Sequence, residues 1–339
     1  QILESQSSII DRKGIDLRIF AVANSKKVVL EKDGVTTDWN EKLAKTGAPY
    51  QVEDVVDFAT ANHLENVIAI DNTASEDFVS NYALLIKEGF DLVSSNKIAN
   101  TLGFDFYKDT RQNLEQNQKK YLYETNVGAG LPLIDTIQLL HLSGENITRI
   151  KGVFSGSLSY IFNTFSENDV PFSKVVAEAM GKGFTEPDPR EDLSGNDVGR
   201  KLLILARELD LQNEFSEIQI QNLIPEALQS VSKAEFLTQL ESLDAPFSDI
   251  KSEQKENHVL RYVGDLHGDL QKDKGILEVK LVSVPKESAL GQVTGSDSII
   301  EIFTESYGEK PLVIQGAGAG AAVTARGVFG DILRIAEKL

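Results

Sequence analysis

The sequence predicts an α/β protein of two domains, in which a parallel sheet wound with helices is followed by a mixed α+β unit. Short apolar runs alternate with helical stretches from Asp16 to about Leu131, which is typical of parallel strands joined by crossover helices. After Pro132 helices dominate, and further strands come late in the chain. The length of 339 residues is sufficient for more than one hydrophobic core.

Four segments of the first part are predicted strands that end in small polar residues, namely 16–24, 65–73, 90–96 and 120–126. Ligands of parallel sheets bind at the carboxyl ends of the strands, so these ends form the candidate binding edge. The stretch from Ser75 to Lys87 has apolar residues at helical spacing. Because Ser75 is followed by acidic residues, as at a helix N-terminus, this stretch is a predicted crossover helix.

The second part begins with a predicted amphipathic helix over 133–144, capped by Gly144, and a strand over 147–156. Helices then continue to about Leu211. Further strands are predicted around 259–264, 276–284 and 298–305, and the polar stretch 234–257 is predicted to be helical and solvated. The end of the chain is a strand, a glycine turn and a long helix, which we expect to return to the first domain. The predicted domains are 1–133 plus 311–339, and 134–310.

The composition excludes several classes of function. The formal net charge is −18 and the isoelectric point is about 4.7, which argues against nucleic acid and anionic membranes as partners. Cysteine is absent, so thiolate zinc sites and aldehyde dehydrogenases that pass through a thioester are excluded. The sequence has no apolar run of roughly 18 residues and no signal-peptide pattern, and we expect a soluble cytoplasmic or organellar protein.

The segment 181–201 concentrates acidic residues beside lysine and arginine, with two prolines that stiffen the loop. Ser194 and Asp197 resemble a capping box, which would start a helix near Gly195. Asp197 and Lys201 are then one turn apart on one face, where an exposed ion pair would be a sufficient structural explanation. The functional interpretation is that a lysine among carboxylates donates a proton to a carbonyl that becomes an alcohol, while acidic groups hold a substrate ammonium.

Two glycine-containing segments have both a structural and a functional interpretation. Gly128 and Gly130 permit a tight turn between strand and helix, and such a turn can aim several carbonyl oxygens at a hard monovalent cation such as Na⁺. The run at Gly316, Gly318 and Gly320 is a weak signal by itself, because close packing of a turn on a helix also requires glycine.

Five motifs together resemble homoserine dehydrogenase, in that family's order and spacing from about Asp16 to the end of the chain. They are SSNKIAN (94–100), ETNVGAGLPLIDT (124–136), GVFSGSLSYIFN (152–163), TEPDPREDLSGNDVGRK (185–201) and GAGAGAAVTA (316–325). The resemblance extends to the dehydrogenase half of bifunctional aspartokinase–homoserine dehydrogenases and to short fungal-type enzymes. It implies NAD(P)H-dependent interconversion of L-aspartate 4-semialdehyde and L-homoserine, within threonine, methionine and isoleucine biosynthesis.

The resemblance also implies roles for individual residues. Lys201 matches the general acid, with Lys97 as a second catalytic lysine where cofactor and substrate meet. The substrate-binding set is Gly183, Glu186, Asp192 and Asp197, and the cofactor contacts include Thr73, Lys97 and Gly320. The cation would be held by oxygens of Glu124, Val127, Ala129 and Leu131, with Asn126 in place of the family's usual threonine. Without the resemblance, Lys97 would be a solvated surface residue and Thr73 a helix cap.

The amino end departs from the family. A dinucleotide-binding domain of the Rossmann type opens with a strand, a GxGxxG turn and a helix that receives the pyrophosphate, and no such run occurs here. We expect the first strand and glycine loop to lie upstream of Gln1, and we expect NADPH to bind weakly without them. Residues 16–24 would be the second strand. Its tip, at Asn24, Ser25 and Lys26, has no carboxylate for a ribose diol, which favours NADP over NAD.

The expected partners are the small-molecule substrate, a second copy of the chain in a homodimer, and an aspartokinase in the parent chain. A catalytically silent fragment or interface module of the same fold is the alternative, and cofactor titration distinguishes the two. A reductase for a different semialdehyde or 2-oxo acid is a further alternative. Succinic semialdehyde lacks the ammonium, so its turnover tests that alternative.

Overall fold

Residues 1–337 are described by the structure, a computed structural model, and they form two separately packed units. The first unit comprises residues 1–99, 105–123 and the chain from 325 onward, and the second comprises 100–104 and 124–324. The structure thus groups 124–133 and 311–324 with the second unit, whereas the sequence predicted them in the first. Lys338 and Leu339, the end of the predicted first domain, lie outside the described residues.

The first unit has short strands and helices in alternation. Its strands are β1 Ala21–Ala23, β2 Val28–Leu30, β3 Ile68–Asp71, β4 Asp91–Ser94 and β5 Tyr121–Leu122. Its helices are α1 Ile2–Lys13, α2 Trp39–Lys45, α3 Val52–Ala61, α4 Glu76–Val79, α5 Tyr82–Lys87 and α6 Phe104–Gln116, with a 3₁₀ turn at Ile98–Asn100 between the last two.

Strands β3, β4 and β5 form a parallel sheet in that order, which confirms three of the four predicted strands. Val93 of the central strand is fully buried against Val328, Ile332 and Ile335 near the end of the chain. The predicted crossover helix is divided into α4 and α5. The Asn81 side chain causes this division, because it donates hydrogen bonds to the carbonyls at the end of α4, at 3.1 Å from those of Asp77 and Phe78.

The prediction of a parallel strand over 16–24 is wrong in this structure. Only Ala21–Ala23 is a strand, and it pairs antiparallel with β2 in a two-stranded ribbon. The chain reverses here because the Asn24 carboxamide oxygen accepts the backbone N–H groups of Lys26 and Lys27, both at 2.9 Å. Asparagine stabilises a tight turn in this way by replacing a backbone acceptor.

The second unit contains the remaining strands, β6 Ile147–Val153, β7 Gln219–Ile220, β8 His258–His267, β9 Ile276–Pro285, β10 Asp297–Thr304 and β11 Leu312–Ala317. Its helices are α7 Ile134–Leu142, α8 Gly156–Glu167, α9 Phe172–Gly181, α10 Arg190–Leu193, α11 Asn196–Arg207, α12 Glu226–Gln229, α13 Lys233–Thr238, α14 Asp244–Ser252 and α15 Ala289–Gln292. The last helix, α16 Ala321–Ala336, begins at the end of this unit. Three 3₁₀ turns lie at Glu124–Asn126, Phe215–Glu217 and Leu240–Leu243.

The six strands form one sheet in the order β11-β10-β6-β8-β9-β7. All neighbours are antiparallel except β7 and β9. The predicted strands around 147–156, 259–264, 276–284 and 298–305 are therefore confirmed. Strand β11 pairs with β10 over six residues, and this pairing is why 311–324 belongs to the second unit.

The stretch 234–257 is helical as predicted, but it is not simply solvated. Phe236, Leu243 and Phe247 are buried, and the ring of Phe247 stacks on that of Phe172 with centroids 3.6 Å apart. These buried residues lie on three successive elements, which are α13, the 3₁₀ turn at Leu240–Leu243 and α14. Among the described residues, no helix is long and apolar enough to cross a membrane.

Candidate active site

Lys201 is a buried cation on the first turns of α11. Its residue is 8% exposed, and Nζ lies 2.8 Å from a carboxylate oxygen of Asp197 and 2.7 Å from the carbonyl oxygen of Phe154. The predicted ion pair between Asp197 and Lys201 is thus present. It is not an exposed surface pair, because Lys201 is buried. An ammonium held by one carboxylate and one carbonyl retains a third N–H for another acceptor.

The helix that carries Lys201 starts at a glycine and not through the predicted capping box. Gly195 is the N-cap, with φ 75°, and the Ser194 hydroxyl accepts the first N–H of the helix, that of Asn196, at 3.3 Å. Ser194 also donates to the Glu191 carbonyl at 2.9 Å. A Cβ on Gly195 would lie 2.1 Å from the Tyr262 hydroxyl oxygen, so both the backbone conformation and the close packing require glycine.

Asp192 joins the acidic loop to the start of α8. One carboxylate oxygen accepts from Ser157 Oγ at 2.6 Å, and the other accepts from the Glu186 N–H at 2.9 Å. Burial raises the pKa of Asp192 and the charge of Asp197 raises it further, while the two donors act in the opposite direction. Asp192 therefore fixes the backbone next to Glu186, a contact that the sequence did not indicate.

Gly183 and Glu186 lie in the exposed part of the same loop. Gly183 has φ 72° with open space where a Cβ would be, and the Glu186 residue is exposed to solvent. The loop is stiffened from its far side by Arg190, which pairs with Asp188 and donates to the Val231 carbonyl at 2.6 Å. The second unit thus brings together Lys201, Asp197, Asp192 and the backbone of Glu186.

The carboxyl ends of β3 and β4 bring together the predicted cofactor residues of the first unit. Thr73 follows β3 and is exposed, and Lys97 follows β4 and is partly buried. Thr73 Oγ1 accepts the Ser75 N–H at 3.2 Å, while Ser75 itself caps α4. Thr73 is therefore not the helix cap of the structural interpretation. Hydroxyl, amide and ammonium groups at this edge fit the phosphate and ribose groups of a dinucleotide.

The remaining predicted cofactor residues lie in turns. Asn24, Ser25 and Lys26 form the exposed tip of the β1–β2 ribbon, with no acidic side chain among them. Gly320 has φ 119° and precedes α16, whose first backbone hydrogen bond runs from Thr324 to the Gly320 carbonyl at 3.0 Å. An exposed helix N-terminus with glycine before it allows a ligand to approach the backbone closely.

The turn at 124–131 has an irregular backbone and a buried carboxylate. Gly128 and Ala129 both have positive φ, at 78° and 53°, which rotates successive carbonyls out of helical alignment. The Glu124 carboxylate accepts the N–H groups of Leu133, Ile134 and Asp135 at 2.6–2.9 Å and so caps α7.

Three observations at this turn agree with a hard cation held by oxygen ligands. The Leu131 carbonyl accepts one bond, from Leu133. Within residues 1–337, no backbone N–H reaches the carbonyls of Val127 or Ala129. Buried carbonyls and a carboxylate are oxygen donors of the kind that hard cations prefer.

Family models and known proteins match both units of the chain. A family model described as the NAD binding domain of homoserine dehydrogenase matches residues 1–124, and the homoserine dehydrogenase model matches residues 132–333. A bifunctional aspartokinase/homoserine dehydrogenase of Haemophilus influenzae is 39% identical over 98% of this chain and 40% of its own length. A homoserine dehydrogenase of Paracoccidioides brasiliensis is 39% identical over 80% of this chain and 75% of its own.

Two solved structures are similar to this chain. A Candida auris protein described as of unknown function has a TM-score of 0.85 at 34% identity and covers 95% of this chain and 90% of its own. A hyperthermophilic archaeal homoserine dehydrogenase in complex with NADPH has a TM-score of 0.70, covers 99% of this chain and 94% of its own, and supports the fold alone at 21% identity.

The matched models describe an NAD-binding domain followed by a separate homoserine dehydrogenase domain. The chain belongs to the homoserine dehydrogenase family, as its motifs predicted. It spans about 40% of the length of the bifunctional relatives that it matches.

Proposed function

We propose that the chain catalyses the NAD(P)H-dependent interconversion of L-aspartate 4-semialdehyde and L-homoserine, a step toward threonine, methionine and isoleucine. The observation that carries this proposal is the buried Lys201 ammonium, held by Asp197 and the Phe154 carbonyl beside an acidic loop. This arrangement suits a substrate that has both a carbonyl to protonate and an ammonium to bind.

Each residue then has a defined task. The nicotinamide cofactor, when bound, supplies the hydride that reduces the aldehyde carbon. Lys201 gives a proton to the developing alkoxide oxygen, and Asp197 pairs with the lysine and orients it until then. Glu186 pairs with the substrate ammonium beside the backbone of Gly183, and Asp192 holds this loop in place. In the reverse direction Lys201 accepts the alcohol proton.

For the cofactor we propose NADP, held by Thr73, Lys97, Gly320 and the turn at Asn24, Ser25 and Lys26. The support is that this exposed turn offers serine and lysine side chains but no carboxylate, so that a 2′-phosphate is tolerated. Lys97 is also proposed to act where cofactor and substrate meet.

We further propose a Na⁺ ion at Glu124, Val127, Ala129 and Leu131, a homodimer, and an aspartokinase within the natural protein. The positive-φ turn supports the ion, and the bifunctional relatives support the aspartokinase. Sedimentation of the chain at twice its mass of 37.3 kDa is the result that a homodimer requires.

The test of the reaction is steady-state turnover of aspartate semialdehyde with NADPH. Lys201→Ala should lower kcat by at least ~10²-fold, the usual scale of general acid–base catalysis, and leave the NADPH Kd nearly unchanged. Lys182→Ala is the matched control, since Lys182 is a half-exposed lysine of the same segment that pairs with Glu178. Turnover by Lys201→Ala equal to that of wild type would exclude the assignment. Equal kcat/KM for succinic semialdehyde would exclude the ammonium site.

A further inference from the structure

A buried carboxylate, Asp71, occupies the carboxyl end of β3, and the site described above does not use it. The residue is 3% exposed. One oxygen accepts the Thr73 N–H at 2.8 Å, and the other accepts from the Tyr82 hydroxyl at 2.7 Å and the Asn96 carboxamide at 3.0 Å. These three donors are all neutral groups.

The Tyr82 donor is stable across the ordinary pH range. Burial, together with nearby Tyr121 and Asp71, raises the pKa of the Tyr82 phenol, so that its proton is retained. The residue is 1% exposed and comes from α5, the helix between the two strands. The hydroxyl therefore anchors the Asp71 carboxylate to the crossover helix.

Asn96 connects the same carboxylate to the second loop of the edge. Its Nδ2 donates to Asp71 and to the Ser75 carbonyl at 3.2 Å, and its Oδ1 accepts the Ile98 N–H at 3.0 Å. The residue is 3% exposed. The side chains of Asp71 and Asn96 thus hold the backbone of Thr73 and Ser75. They also hold the backbone directly after Lys97.

The chemistry of the pair is directional. Both Asp71 oxygens accept hydrogen bonds, and Asn96 faces one of them with the end that donates. A buried carboxylate surrounded by neutral donors is costly compared with an apolar residue, and such a group is retained where its geometry specifies an arrangement. The arrangement here joins the loop of Thr73 to the loop of Lys97.

We propose that Asp71 and Asn96 are positioning residues for the dinucleotide, which set the Thr73 and Lys97 loops in the geometry that receives it. The inference rests on the proposed function, because that function makes these loops the cofactor edge. Neither side chain is proposed to touch the cofactor. The pair acts through the backbone of residues 73–75 and 96–98.

A reciprocal exchange tests the pair, with NADPH as the probe in fluorescence titrations of the full chain. Asp71→Asn leaves one acceptor oxygen for the two positions that Asp71 serves, so an amide N–H faces either the Thr73 N–H or the Asn96 amide. Asn96→Asp places two acceptors against each other. Each single variant should raise the NADPH Kd about tenfold or more, the scale of one lost buried hydrogen bond. The double variant D71N/N96D restores donor against acceptor and should recover most of the affinity, although it leaves the Ser75 carbonyl without this donor.

Hydrogen exchange gives a second readout that needs no cofactor. The backbone N–H groups of Thr73 and Ile98 should lose protection in each single variant of the free chain and regain it in the double variant. Unchanged protection in Asp71→Asn, or a double variant no better than the worse single variant, would overturn the proposal. If a single variant does not fold, the protection of the Thr73 and Ile98 N–H groups in the double variant still tests the proposal.

Asp91→Asn is the matched control. Asp91 is equally buried on the neighbouring strand, and it accepts the Lys120 N–H at 2.7 Å at the opposite end of the sheet. This variant should lose thermal stability without losing NADPH affinity. Absence of NADPH binding by the wild-type chain would reject the proposed function, whereas NADPH affinity that both single variants retain would reject only the positioning role.

Discussion

At the scale of single residues, Glu186 is an exposed acid whose backbone N–H is held by Asp192 at 2.9 Å. Glu186→Gln should raise KM for aspartate semialdehyde about 10- to 100-fold, because a charge-assisted bond to an ammonium is worth roughly 1.5–3 kcal/mol. The kcat value should change much less. Glu191→Gln, which alters another exposed acid of the same segment, should leave both constants near wild type, and equal effects of the two changes would rule out a specific role.

Gly318 has no space for a side chain. A Cβ there would lie 1.9 Å from Ser298 Oγ and 2.4 Å from Ser298 Cβ, and Ser298 is fully buried. Gly318→Ala should lower the free energy of unfolding by about 1–3 kcal/mol, as overpacking usually does, and Ser298→Gly in the same chain should relieve part of the loss. Urea denaturation measures both. Gly330→Ala, in open space within α16, is the control, and a Gly318→Ala variant as stable as that control would contradict the packing argument.

The sequence predicted the residue contacts that are local and missed those that are distant. Asp197 and Lys201 are four residues apart in a helix, so their pairing follows from helical geometry alone. The Phe154 carbonyl that completes the lysine site is 47 residues away, and Asn96 is 25 residues from Asp71. No spacing rule relates such pairs, because only the packed fold brings them together.

At the scale of elements, the end of α11 depends on a fully buried arginine. Arg207 donates to the Asn100 carbonyl at 2.8 Å and lies 3.5 Å from Glu214, which accepts the first N–H of α6 from Phe104 at 2.7 Å. Arg207→Met should lower the free energy of unfolding by about 1–3 kcal/mol, because a buried carbonyl loses its donor. Arg200→Met, an exposed arginine of the same helix, should change it by less than about 0.5 kcal/mol in the same denaturation assay. Equal stabilities would exclude this anchoring role.

Elements were predicted well where the apolar pattern and the tertiary partner agree. Strands β3, β4 and β5 are short, apolar and followed by polar residues, and they pair in parallel as expected. The stretch 16–24 has the same pattern, yet Asn24 closes a turn and its strand pairs with the segment just after it. A period of two residues predicts an extended strand but does not specify its partner.

At the scale of the whole molecule, the sequence predicted two units and a discontinuous first one, but it did not place every boundary as the structure does. The carboxyl-terminal strand was expected with the first domain because the small residues of this segment suggest a helix that packs closely on that domain. Its six-residue pairing with β10 groups it with the second unit instead. The folded sheet determines which strands pair with each other. The sequence around one strand does not show its partner.

Global stability should depend on pH through Glu124 and on the proposed cation. Burial, and then the charge of Asp135, raises the pKa of Glu124 to about 8, although the backbone N–H groups of Asp135 and Ile134 oppose the shift. Between the usual value near 4.5 and about 8, the folded chain therefore holds a proton that the unfolded chain has released. Stability from this group is complete below pH 4.5 and is lost as pH rises through 8.

The measurement is the free energy of unfolding by urea between pH 5 and pH 8.5, in tetramethylammonium and in sodium buffers. Without sodium, wild type should lose stability with rising pH more steeply than Glu124→Gln, which has no proton to release at this position. Sodium bound near the carboxylate favours its charged form, so it should flatten the wild-type slope and leave that of Glu124→Gln less affected. The same slope in both chains without sodium would show that Glu124 is ionised throughout, since its three backbone donors would then outweigh its burial.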